Sequence, residues 1–72
     1  MIVELRQSVS LVLLARMEST DPPTPGQWFL HDHVSYLVMQ RRHRYKLHSG
    51  RYELSTIVLY VKAQKQPADA HF

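Results

Sequence analysis

The chain has no cysteine and only two glycines among its 72 residues. Neither a disulfide nor a thiolate metal site can therefore brace it. The disulfide framework typical of small secreted domains is excluded with them. Long apolar runs are missing too. Nothing approaches the roughly 18 consecutive apolar residues of a membrane span. At the N-terminus an acid, Glu4, stands where a secretory leader carries a basic region, and the run Leu11 to Ala15 is too short for the apolar part of one. The chain reads as soluble, or as peripheral on a larger assembly. Acids are few: Glu4, Glu18, Asp21, Asp32, Glu53 and Asp69. None forms a spaced pair suited to general acid and base work, and no nucleophile motif surrounds the serines and histidines. A domain this small also lacks room for a buried substrate pocket. These absences point away from an enzyme and from a cofactor.

What remains is a foldable balance. The composition is 44% hydrophobic and 21% charged, with a formal net charge of +3. That is one domain at most, and a chain of this length buries only about 60% of its unfolded surface. The core is small, and a partner or a second copy would add burial that the chain alone lacks. The positive balance favours acidic partners.

Apolar and polar residues alternate along much of the chain. From Val3 to Ala15 the odd positions Val3, Leu5, Val9, Leu11, Leu13 and Ala15 are apolar, and the even ones carry Glu4, Arg6, Ser8 and Ser10. Period two predicts a half-buried strand. A helix competes, since Leu5, Val9, Val12 and Arg16 share a helical face, but the β-branched residues and serines favour strand. Glu18 to Gly26, with three prolines, is a loop. Trp28-Phe29-Leu30 is a short apolar run, His31-Asp32-His33 a turn, and Val34 to Gln40 a strand. Tyr36 and Val38 are even whereas Tyr45 and Leu47 are odd, so a bulge or bend is expected within Gln40 to Arg44. His48-Ser49-Gly50 predicts a tight turn, with Tyr52 and Leu54 pairing across it with Tyr45 and Leu47. A second phase change is expected at Ser55-Thr56. The reading is an all-β fold of about five strands over residues 1–63, a small bent sheet or partly open barrel of SH3-like size, with a frayed tail over 64–72.

The densest feature is the segment from Arg41 to Tyr52. It holds Arg41, Arg42, Arg44, Lys46 and Arg51, five of the nine Lys and Arg residues, with Tyr45 and Tyr52 between them. On a regular strand Arg42, Arg44 and Lys46 share one face, and His43, Tyr45 and Leu47 the other. Tyr45 then reads as a core residue behind a cationic stripe. Such a stripe neutralises phosphates or meets an acidic protein face. The plainer reading is a solvated edge that discourages sheet-to-sheet aggregation. Trp28, after the Pro-Gly loop, reads either as an interface anchor or, more simply, as a residue closing one end of the core. His31 and His33, with His43 or His48, offer imidazoles, but a metal site needs further ligands that the spacing does not supply.

The pattern Tyr36-x-Val38-x-x-Arg41-Arg42-His43-Arg44-Tyr45-x-Leu47-x-x-Gly50-Arg51-Tyr52-x-Leu54-x-x-Ile57-x-Leu59-Tyr60-Val61 resembles a small uncharacterised family of cyanobacterial proteins. The resemblance covers roughly residues 25 to 63. In longer members the similar segment is followed by a cysteine-containing part, and this chain has no cysteine. The resemblance implies a cytoplasmic protein of a photosynthetic bacterium. It implies no activity.

The expectation is a non-enzymatic interaction module. Arg41, Arg42, Arg44, Lys46, Arg51 and Trp28 form its contact set, docking a basic hairpin onto an acidic face of a protein assembly. The alternative is a small nucleic-acid-binding domain using the same hairpin. A third route is a homodimer through an open sheet edge at Val34 to Met39.

Overall fold

A computed structural model describes residues 1–64, and these form a single mixed sheet without helix. Strand β1, Ile2–Gln7, and strand β2, Leu13–Glu18, make the first hairpin, with Val3 opposite Met17, Glu4 opposite Arg16 and Leu5 opposite Ala15. Strand prevails over helix here, but the expected continuous strand from Val3 to Ala15 is broken in two. Gln7 is the cause. Its side-chain carbonyl accepts from the backbone N–H groups of Val9 and Ser10, and its backbone carbonyl accepts from Leu11. Ser10 Oγ takes the Val12 N–H, and Leu11 sits at a φ of 65°. Local side-chain bonds of this kind offer the backbone an alternative to the ladder. Ser8 and Ser10, which imitate the polar half of an alternation, flank or build a turn. Val9, Leu11 and Leu13 are exposed instead of lying in the core.

The proline loop follows as expected. Strand β3, Trp28–His31, then turns into strand β4, Val34–His48, through Asp32 and His33, both at positive φ (54° and 67°). A second two-residue turn, Ser49 (φ 50°) and Gly50 (φ 77°), joins β4 to strand β5, Arg51–Ala63. Positive φ at both central residues is the type I′ signature, whose twist matches that of the strands it joins. Tyr45 pairs with Leu54 and Leu47 with Tyr52, as the alternation predicts.

The strand order is β2-β1-β5-β4-β3, and β1 runs parallel to β5. The sheet curls into a half-barrel, the small, partly open all-β architecture anticipated from the strand spacing. Two register shifts in the β4–β5 pairing accompany the bend. One lies between Val38 and Gln40, leaving Met39 as the extra residue, one position before the expected interval. The other leaves Ser55 as the extra residue opposite Arg44 and Tyr45, where the second phase change was expected. Without them the apolar set would change faces midway along each strand. With them Val3, Leu5, Val38, Ile57, Leu59 and Val61 meet in one cluster, with Ala15, Met17, Phe29 and Tyr36 packed against it.

Strand β4 is hydrogen-bonded to β3 on one side and β5 on the other. Val34 to Met39 is therefore interior, and the homodimer route through an open edge there is closed. Among the described residues the open edges are β2, β3 and the stretch of β4 that runs past the end of β3. Beyond Tyr45 and Leu54 the β4–β5 hairpin has no third strand beside it among the described residues, because β1 pairs with β5 only from Thr56 to Val61 and β3 with β4 only from Val34 to Leu37. It projects as a two-stranded ribbon from a molecule with extents of 49 × 26 × 18 Å. Of the tail expected over 64–72, all but Gln64 lies outside the described residues.

A cationic sheet face as the candidate functional site

Residues opposite one another in a ladder point to the same side, and neighbours along a strand to opposite sides. The core cluster therefore defines one face, and the register defines what lies on the other. That second face carries Arg6, Arg16, Arg42, Arg44, Lys46, Arg51 and Lys62, seven of the eight Lys and Arg residues among those described. It also carries three acids, Glu4, Glu18 and Glu53. Its charge is asymmetric in a way that the overall +3 understates.

Glu4 is the hub of this face. It is 2% exposed and paired with three arginines: Arg16 Nη2 lies 3.0 Å from Oε2, Arg6 Nε 3.1 Å from Oε1, and Arg44 Nη1 3.3 Å from Oε2. The pairing comes from three strands: β2 places Arg16 directly opposite Glu4, β1 brings Arg6 two residues along the same face, and β4 reaches over β5 with Arg44. Burial pushes the Glu4 carboxyl up, but the hydrogen bonds from Arg16 and Arg6 and the charges of Arg44 and Arg6 outweigh it. The group sits below the ordinary glutamate value. Arg16 and Arg44 remain at least half-exposed, so their outer edges stay open to a partner. Arg42 lies over the Tyr60 ring, 5.7 Å from its centroid, which fixes its guanidinium on the surface. The long stems of these side chains also cover Val58, buried on the same side of β5.

The expected contact set divides. Arg42, Arg44, Lys46 and Arg51 share the cationic face. Arg41 does not. It lies on the core side opposite Leu59, donates to the Pro22 carbonyl at 3.1 Å and to His43 Nε2 at 3.2 Å, and ties the proline loop to the sheet. Trp28 is half-buried opposite Leu37, on the cationic side and at the far edge. The aromatic that packs against the core from β3 is Phe29, stacked on Tyr36 with centroids 5.5 Å apart. Tyr45, read from the sequence as core, is exposed, because the ribbon carries it past the end of the barrel. Arg6 and Arg16 were not in the expected set. The alternation placed Arg6 with Glu4, but only the turn at Ser8–Val12 folds Arg16 back beside them. His31 and His33 do not act together: His33 is a turn residue, and among the described residues no group of metal-ligating side chains assembles.

With the face described, comparison with known proteins adds one finding. A model of a family of unknown function, DUF6464, matches residues 8–72. The chain belongs to that family. No curated protein matches it, and no solved structure does. The match begins within the β1–β2 turn and takes in the whole β3–β4–β5 meander and its ribbon. Among the described residues, no helix is long and apolar enough to cross a membrane.

Proposed function

We propose that this protein is a non-enzymatic docking module whose cationic sheet face binds an acidic surface on a protein assembly. The observation that carries the reading is the one-sided distribution of charge: seven cations on one face of a thin sheet, several of them held in place by Glu4 and Tyr60. Side chains fixed before binding lose less entropy on docking. Opposite charge then sets encounter rate and orientation.

Nucleic acid is the second reading, and the placement of the tyrosines weighs against it. Binding of single strands joins a backbone-tracking cationic groove to aromatic rings on the same surface. Here the exposed rings, Tyr45 and Tyr52, lie on the opposite side of the ribbon from Lys46 and Arg51. On the cationic side Tyr60 lies beneath Arg42 and Trp28 is half-buried. The resemblance to cyanobacterial proteins is consistent with a cytoplasmic setting for such a partner.

The test is fluorescence anisotropy with a labelled Glu-rich peptide and a labelled single-stranded RNA of equal charge, at low and high salt. The informative variant is Arg42→Glu with Lys46→Glu. Arg44→Glu would set a carboxylate against Glu4 and confound binding with stability. The peptide should bind at least as tightly as the RNA, and the double variant should lose about tenfold or more in affinity. Tighter RNA binding with a steep salt slope would favour phosphate recognition instead. Equal peptide binding by variant and wild type would remove this face as the contact.

A further inference from the structure

The other side of the projecting ribbon carries a different signal. Tyr45 (57% exposed), Leu47 (58%), Tyr52 (77%) and Leu54 (38%) form its whole surface, in two cross-strand pairs. No formal charge stands among them, since Lys46, His48, Arg51 and Glu53 point the other way. His43 borders the patch, its ring 6.5 Å from that of Tyr45. A two-stranded hairpin alone is marginally stable in water and ordinarily needs a third strand or a second layer. Among the described residues, nothing supplies either to this one.

We infer that this face packs against the same face of a second copy, giving a two-fold dimer through the ribbons. Three observations select a second copy. The first is shape. Along the ribbon Tyr45 lies beside Leu54, and Leu47 beside Tyr52, so large and small residues alternate as on a checkerboard. Turned over onto itself about an axis along the strands, or about one across them, the pattern seats every tyrosine on a leucine. Large-on-small is the arrangement by which facing layers interdigitate. The second is charge. Two copies of a chain with net charge +3 repel one another through their cationic faces. Meeting through the uncharged side leaves both cationic faces outward. The third is area. Covering what these four side chains expose on each of two copies removes at most on the order of 900 Å² from water, the small end of specific interfaces and the size of a weak, reversible dimer. The inference is independent of what the cationic face binds. If both hold, the dimer presents two docking faces, and an acidic assembly with repeated sites would bind it with avidity.

Sedimentation equilibrium of the full chain between about 10 and 300 µM tests this, in the concentration range that a small interface calls for. The wild type should show a reversible monomer–dimer equilibrium. Tyr52→Lys and Leu47→Lys should each weaken it by about 100-fold or more, because each lysine enters the apolar face twice. Leu30→Lys, at an exposed position on β3, should leave it unchanged. Far-UV circular dichroism establishes that each variant is folded. In mixed-label wild-type samples, nuclear Overhauser effects should join tyrosine ring protons of one copy to leucine methyls of the other, which keeps the test independent of any variant. A wild type that stays monomeric throughout would overturn the inference. So would a dimer that both lysine variants leave intact, or one without tyrosine-to-leucine contacts between copies.

Discussion

At the scale of single residues, Glu4 decides more than any other side chain. A carboxylate between Val3 and Leu5 on a central region of a small sheet is costly unless it is paired, and three arginines pair it. Its depressed pKa makes it a source of stability with a definite sign. The stabilisation is present in full above the ordinary glutamate range, about 4.3, and is lost as pH falls through the lower folded value. Glu4→Gln should therefore cost roughly 1–3 kcal/mol near pH 7, as measured by urea denaturation. The gap between variant and wild type should close in strong acid, where both side chains are neutral. A gap that persists unchanged at low pH would mean that the side chain acts through packing and not through charge.

At the scale of elements, the β4–β5 hairpin has two parts with different support. From Thr56 to Val61 its second strand lies between β1 and β4 and over the core; from Tyr45 to Leu54 no other described strand supports it. Amide exchange should follow this division, with strong protection over 56–61 and weak protection over 45–54. Gly50→Val tests the ribbon directly. No atom lies within 4 Å of an added Cβ, so the cost is conformational, about 1–2 kcal/mol for a φ of +77°, and should appear as faster exchange in the ribbon before the core. A loss of protection spread evenly over the sheet would show that the ribbon and the barrel unfold as one unit. Elements were also the scale at which the sequence was most legible. The turn at Ser49-Gly50, the Tyr45–Leu54 and Leu47–Tyr52 pairs and the phase change at Ser55 all follow from period-two alternation and turn chemistry, which are local. The turn after Gln7 was hidden, because Ser8 and Ser10 continue the alternation through it and the side-chain bonds of Gln7 leave no trace in hydropathy. The parallel pairing of β1 with β5 could not be read either, since it joins segments about fifty residues apart.

At the scale of the whole molecule, the sheet has two unlike exposed surfaces. Four of the seven cations on the cationic one lie in the run from Arg41 to Arg51 and are visible in the sequence. The rest needed tertiary structure: Arg6, Arg16 and Lys62 come from other strands or positions, and Arg41 leaves the set because strand alternation and the Pro22 carbonyl turn it to the core side. The position of Tyr45 was misjudged for a related reason. Alternation assigns a face but does not say where along that face the core ends, and here it ends before the ribbon begins. The measurement that tests the central claim most directly is a nuclear magnetic resonance titration of ¹⁵N-labelled protein with the Glu-rich peptide. The arginine Nε signals of Arg6, Arg16, Arg42 and Arg44 should shift together with the amides of β1, β5 and the Lys46 side of the ribbon, while Arg41 stays still. Shifts centred on Arg41, Tyr45 and Tyr52, or none at saturating peptide, would contradict it.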